Sequence, residues 1–135
     1  MYVYKLEVTR VYDGDTVNGI VDLGFNLKMA IKIRLADINT PEIRTKDLEE
    51  KQRGYAARDF LRDFLEKYKD GLMVRTKEKG KYGRWIGELL LSVDDFGHDE
   101  ELVKYENNAR IWGFDYIDIN EILVEEGHAE RRSYQ

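Results

Sequence analysis

The chain has 135 residues, one proline, no cysteine and a formal net charge of −5 at pH 7. Its length suits a single domain around one core, and the missing thiols exclude disulfides and thiolate metal sites. With 42% hydrophobic and 36% charged residues it reads as folded, and no apolar run is long enough for a signal peptide or a membrane span. A cytoplasmic protein, expected as a monomer and with no membrane partner, follows from that reading.

Net acidity argues at first against a nucleic-acid partner, but its distribution matters more than its sum. Residues 1–84 carry 18 Lys/Arg against 14 Asp/Glu, a balance of +4. Residues 85–135 carry 4 against 13, a balance of −9. A local patch in the first part can still attract phosphate, with affinity that falls quickly as salt rises.

Alternation from Val3 to Tyr12 predicts a first strand, broken at Asp13-Gly14, a dipeptide that signals a hairpin between two strand patterns. Thr16 to Val21 makes the second strand, Asp22 to Asn26 its turn, and Leu27 to Ala36 the third. Pro41 ends that run, since proline cannot donate to a ladder and pushes Thr40 into an extended conformation. The third strand therefore carries an arginine, Arg34, and delivers an amide, a hydroxyl and a carboxylate, Asn39, Thr40 and Glu42, at its end. Three consecutive antiparallel strands of this kind are the usual opening of a five-stranded OB-type barrel.

Residues 43–54 are charged and mixed, which reads as a loop running into a helix. Ala57, Phe60, Leu61, Phe64, Leu65 and Tyr68 form one apolar stripe, predicting a helix of roughly 18 residues closed by Asp70-Gly71. Its aromatics belong to the core in this reading. Leu72 to Thr76 is a short strand, Lys77 to Arg84 a basic turn, and Trp85 to Val93 a fifth strand. Asp118 and Glu121 mark a second helix start, with Gly127 as its C-cap.

Three segments, Asp13-Gly14-Asp15-Thr16, Arg34 with Thr40-Pro41-Glu42, and Lys81-Tyr82-Gly83-Arg84, occur in the order and at the spacing of the staphylococcal nuclease (thermonuclease) family. The chain resembles that family over roughly residues 5–92 and again over about 118–130. The resemblance implies a mainly β, α+β fold: a five-stranded OB-fold-like barrel with two or three packed helices, one domain over 1–135. Residues from about 94 to 117 are then an insertion. The expectation is that its Trp112, Phe114 and Tyr116 pack on the barrel, and that it covers the surface left bare by the family's missing third helix.

By the same resemblance, Arg34 and Arg84 hold the scissile phosphate and stabilise its developing charge, and Glu42 orients or deprotonates the attacking water. Arginine's planar fork of donors suits phosphate in a way lysine does not. Asp15, Asn39 and the Thr40 carbonyl fall at the family's metal ligands, with calcium as the implied cofactor. Lys81 and Tyr82 fall at side chains that contact a neighbouring phosphate. The implied activity is a calcium-dependent phosphodiesterase, an endonuclease on DNA or RNA with single strands preferred.

Two departures matter. Asn39 stands where the family has a second metal carboxylate; an amide oxygen still ligates calcium, with one negative charge fewer. Asp37, two residues earlier and hence on the same strand face, is a candidate compensating ligand. A base-stacking tyrosine of the family aligns with Ser133, with Tyr134 one position off, so that role is not carried over. His98 and His128 lie outside the motifs and are not assigned chemistry. A rival reading keeps the fold without catalysis, as a module gripping nucleic acid or a protein partner. A third restricts the enzyme to a small phosphodiester or a nucleic-acid end, with the insertion narrowing the groove.

Overall fold

The computed structural model describes residues 2–93, 99, 101–102, 104–105 and 109–132. Strand β1 (Val3–Asp13) turns through Gly14 and Asp15 into β2 (Thr16–Gly24), which turns into β3 (Leu27–Leu35). These three form the expected antiparallel meander, with Leu6 opposite Val21 and Gly19 opposite Ile31. A two-residue strand, β4 (Ile38–Asn39), precedes the long helix α1 (Leu48–Lys67). A single 3-10 turn over Lys69–Gly71 leads to β5 (Leu72–Lys79), and a second over Lys81–Gly83 to β6 (Trp85–Ser92). Parallel pairing of β3 with β6 closes the order β3-β2-β1-β5-β6 into a five-stranded barrel.

Alternation on β2 and β3 points Val17 and Ile33 into that barrel, whereas β6 is buried at every position from Ile86 to Leu91. Val17, Ile33, Val74, Leu89 and Leu91 are all fully buried, each adding about 1.5–3 kcal/mol on removal from water. On α1, Ala57, Leu61 and Leu65 recur along one face and are buried, as is Tyr68 at its C-cap. The helix begins earlier than the mixed charge of 43–54 implies. Asp47 caps it, accepting from the amides of Glu49 and Glu50 at 3.0 and 3.2 Å, which places residues 48–54 in the first turns. A cap of this kind is worth about 1 kcal/mol, enough to decide a charged tract with no β pattern.

The second helix, α2 (Ile119–Glu125), follows the hairpin of β7 (Ala109–Ile111) and β8 (Phe114–Asp118), and β8 adds to the outer edge of β6. Asp118 caps α2 as its sequence predicts, accepting from Glu121 N. Asn120, 2% exposed, fastens this helix to the barrel. Its amide nitrogen donates to the carbonyls of Ala36 and Gly87, and its amide oxygen accepts from Leu89 N. The chain then pairs β9 (Glu130–Arg131) with β4. No helix among the described residues is long and apolar enough to cross a membrane.

Of the three aromatics expected to pack on the barrel, Tyr116 is half-buried, but Trp112 and Phe114 depart from expectation. Trp112 is 78% and Phe114 56% exposed, at and beside the tip of the β7–β8 hairpin, so these rings do not pack on the barrel. Trp112 and Gly113 both take positive φ, as a tight two-residue hairpin turn demands, and that turn carries the rings outward. Leu102 and Tyr105 supply the burial instead, both joining the core, with the Tyr105 hydroxyl donating to Glu126 at 2.6 Å. His98, Ser133 and Tyr134 lie outside the described residues.

Candidate functional site

The site is assembled where the β1–β2 turn, the end of β3 and the start of β6 meet. Gly14 lets the turn approach: a Cβ there would sit 2.8 Å from both Ala57 Cβ and Thr40 Cγ2. Gly54 does the same for the Thr-Pro-Glu segment, because a Cβ would fall 2.8 Å from the Pro41 carbonyl oxygen and 2.9 Å from that of Glu42. Helix α1 thus braces both acidic loops. This second glycine carried no signal in sequence, since its need arises from a contact between distant segments.

Asp15 is drawn into the interior by four donors. Thr40 gives its amide and its hydroxyl to Oδ2 at 3.1 and 3.0 Å, the Thr16 hydroxyl reaches Oδ1 at 3.2 Å, and Arg34 completes the set with an ion pair at 3.3 Å. Arg34 is itself 4% exposed and is held from several sides. It donates to the carbonyls of Leu35 and Ile38 at 2.7 and 3.1 Å and to the Asn39 amide oxygen at 3.2 Å. Asn39 therefore faces the same point as Asp15, through the guanidinium of Arg34.

Arg34, Asn39, Lys81, Tyr82 and Arg84 line one hollow of about 770 Å³. Arg84 places a buried Nε there with no hydrogen-bond partner among the described residues, a cost that a bound acceptor would remove. Its guanidinium lies 5.8 Å from the centre of the Tyr82 ring, which is 90% exposed on the rim. Lys79 and Arg132 add two cations to the hollow that the sequence motifs did not mark. Arg132 arrives through the β4–β9 pairing and through its own amide, which donates to the Asp37 carbonyl at 2.8 Å. Pairing between segments so far apart in the chain leaves no local pattern to read.

Glu42 lies next door. It is exposed and lines a smaller depression of about 300 Å³, with Asn39 as a shared wall between the two hollows. Arg53 and His128 line the Glu42 side, and the His128 ring packs 4.8 Å from the centre of Phe60.

A sequence profile described as staphylococcal nuclease homologue matches residues 32–135. The chain belongs to the staphylococcal nuclease homologue family. Micrococcal nuclease of Shigella flexneri is 29% identical over 126 residues, covering 93% of this chain and 57% of its own length. Protein ParB of Escherichia coli is 32% identical over 88 residues, covering 65% of this chain and 42% of its own. This staphylococcal nuclease homologue thus spans about half the length of the relatives it matches.

The donor set of this homologue suits a hard cation. Asp15 offers a carboxylate, Asn39 an amide oxygen and Thr40 a carbonyl, all oxygens of the kind calcium accepts. Among the described residues no cluster of three or more His, Cys, Asp or Glu side chains is placed to hold a metal, and Asp15 is the one carboxylate in this donor set. Asp13 adds negative potential close by. Burial, then the hydrogen bond and charge of Asp15, push its carboxyl up to about 6, while its Oδ1 accepts from Asp15 N at 3.0 Å. Asp37, by contrast, is not part of this group. It takes a positive φ of 62°, which turns the chain between β3 and β4, and its carboxylate pairs with Lys77 at 3.0 Å on the surface. The rule that residues two apart share a strand face fails because 37 and 39 do not lie on one strand.

Proposed function

We propose that this protein is a calcium-dependent phosphodiesterase that cleaves single-stranded DNA or RNA internally. The observation that carries the reading is the pair of arginines in one hollow: Arg34 locked in place by Asp15 and Asn39, and Arg84 with a buried, unpartnered donor. Such fixed donors cost no reorganisation when charge grows on a phosphoryl group, which is where electrostatic catalysis gains most.

In the reaction, the scissile phosphate lies across the hollow, and Arg34 and Arg84 donate to its non-bridging oxygens as charge develops. Glu42, on the far side of Asn39, orients a water and accepts its proton as the oxygen bonds to phosphorus. The bond to the 5′-oxygen breaks as that oxygen takes a proton from solvent water, leaving a 5′-hydroxyl and a 3′-phosphate. Lys81 and Tyr82, on the rim, hold the adjacent phosphate. Asp15, Asn39 and the Thr40 carbonyl would hold calcium, which when bound supplies a Lewis acid at a phosphoryl oxygen. Thr40 and Thr16 position Asp15 for that task, and Asp15 in turn positions Arg34.

The test is incubation of circular single-stranded DNA, and separately of RNA, with purified protein across calcium concentrations. Conversion of circles to linear and then shorter pieces bearing 3′-phosphates is the expected result. Circles that stay intact while linear strands shorten would replace internal cleavage with an end-specific reaction.

A further inference from the structure

The outer face of the barrel beside this hollow carries a second set of cations that no motif marks. Val8 pairs with Gly19 and packs on the core, yet Arg10, two residues on, pairs with Asn18. The β-bulge between them inserts one residue, and a bulge of that kind switches the following side chain to the opposite face. Arg10 therefore points outward instead of into the barrel. Asn18 pairs in turn with Lys32 on β3, so Arg10, Asn18 and Lys32 form one row across three strands.

Tyr12 organises this row. Its ring lies under both cations, with the Arg10 guanidinium 4.3 Å and the Lys32 ammonium 4.6 Å from its centre. The Asn18 amide fixes the ring by donating to its hydroxyl at 2.9 Å. Neither cation is ion-paired among the described residues, although 27 acidic residues in the chain outnumber the basic ones. Two like charges held on one ring repel each other, and an anion bridging them relieves that repulsion.

The row leads straight to the proposed reaction centre. Lys32 and Arg34 alternate onto the same side of β3, about 7 Å apart along the strand. Lys32 and Asn18 also line a hollow of about 520 Å³ with the half-buried Trp85, and Lys79 lines both that hollow and the one holding Arg34 and Arg84. Basic side chains tracking past an aromatic surface are the pattern of a groove for single-stranded nucleic acid, and strands two and three of an OB-type barrel are suited to carry one.

We propose that Arg10 and Lys32, held by Tyr12, form a phosphate-binding track for the part of a single strand that extends beyond the scissile bond. The track rests on the nucleic-acid reading given above and extends the substrate from one phosphodiester to a run of several nucleotides. It makes chain length a determinant of affinity.

The test compares wild type with an Arg10→Gln/Lys32→Gln variant on a dinucleotide and on a fluorescein-labelled twelve-residue oligothymidylate. Binding is read by anisotropy in EDTA over a salt series, and hydrolysis by kcat/KM in calcium, with thermal melting as the folding control. The expected result is roughly tenfold weaker binding of the twelve-mer by the variant, with dinucleotide hydrolysis unchanged. Its log–log salt slope should be shallower by about 1.4, the release expected for two single-strand phosphate contacts. If the variant binds and cleaves the twelve-mer like wild type, the track is overturned while the nuclease reading stands. Equal losses on both substrates also overturn it, since the two residues would then be acting through the reaction centre. If wild type binds the twelve-mer but cleaves nothing, the nuclease reading fails and the binding arm alone decides the track. Wild type that binds neither length, even at low salt, overturns both.

Discussion

Asp15 and Arg34 face each other at 3.3 Å with their side chains 11% and 5% exposed, joining the β1–β2 turn to the third strand. Removing one member of such a buried pair leaves the other charged and uncompensated, which typically costs about 3–5 kcal/mol. Arg34→Ala is therefore expected to lower stability by roughly 3 kcal/mol as well as to abolish cleavage. Denaturant unfolding checks the first effect, and an unchanged midpoint would contradict the structural half of the account.

Arg84 predicts a different outcome. Its Nε has no partner among the described residues, so Arg84→Ala forfeits little in the folded protein. The expected result is a stability change under about 1 kcal/mol together with a loss of about 10²–10³ in kcat, the usual effect of removing one donor to a developing charge. Melting and single-turnover kinetics on the same preparation separate the two.

Glu42 is exposed and sits against α1 through the Gly54 contact. Glu42→Gln should fold as wild type and lose about 10²–10⁴ of the rate, as expected for a group that handles the proton of the attacking water. A variant that retains full kcat would remove Glu42 from the mechanism.

Under the proposed function, Asn39 bears on the metal dependence. Its amide oxygen accepts from Arg34 at 3.2 Å, an interaction that an aspartate preserves while adding a charge. Asn39→Asp should lower the calcium concentration for half-maximal activity by about tenfold, a modest figure because surrounding solvent and protein screen a single added charge. Calorimetric titration with calcium reads the affinity directly, and equal affinities would show that Asn39 does not reach the ion.

Asp118 predicts a pH dependence of stability. Burial, followed by the charge of Glu88, pushes its carboxyl up to about 7 from an ordinary 3.8. Arg75 and Lys77 pair with Glu88 on the same side, at 2.5 and 3.1 Å. Below about pH 4 Asp118 is protonated in both states and contributes no slope. Between about 4 and 7 the unfolded chain releases the proton while the folded protein keeps it, so stability falls as pH rises and levels off above 7. Asp118→Asn keeps an oxygen for the helix cap and removes this ionisation, so its advantage in Tm over wild type should grow from pH 4 to pH 7. Asp13, raised to about 6, adds a slope of the same sign that the variant retains.

The barrel was legible because its strands obey short-range rules. Alternation along Leu27 to Leu35 and the Asp13-Gly14 turn are both visible in a window of a few residues, and the parallel closure of β3 onto β6 follows from the barrel they begin. The residues around Arg34 and Arg84 could be named from three short motifs in order. Arg132, Lys79 and the Arg10–Tyr12–Lys32 row could not, because a C-terminal pairing, a shared wall and a bulge place them, and none of these has a fixed spacing. Asp37 escapes the same-face rule for a related reason: its own left-handed backbone breaks the strand on which that face is counted. Packing on the barrel is the commonest fate of aromatic side chains and hence the expectation for Trp112 and Phe114, whereas the hairpin turn at Trp112-Gly113 projects them into solvent.

Cleavage of an internally labelled single-stranded oligonucleotide by wild type and by Arg84→Ala, as calcium is raised from zero to high millimolar, tests whether the paired arginines act in a calcium-dependent reaction. The expected result is no cleavage with EDTA, a saturable rise with calcium for wild type, and a rate at least about a hundredfold lower for a fully folded Arg84→Ala. Equal cleavage by both proteins, or an inert wild type at every calcium concentration, would contradict it.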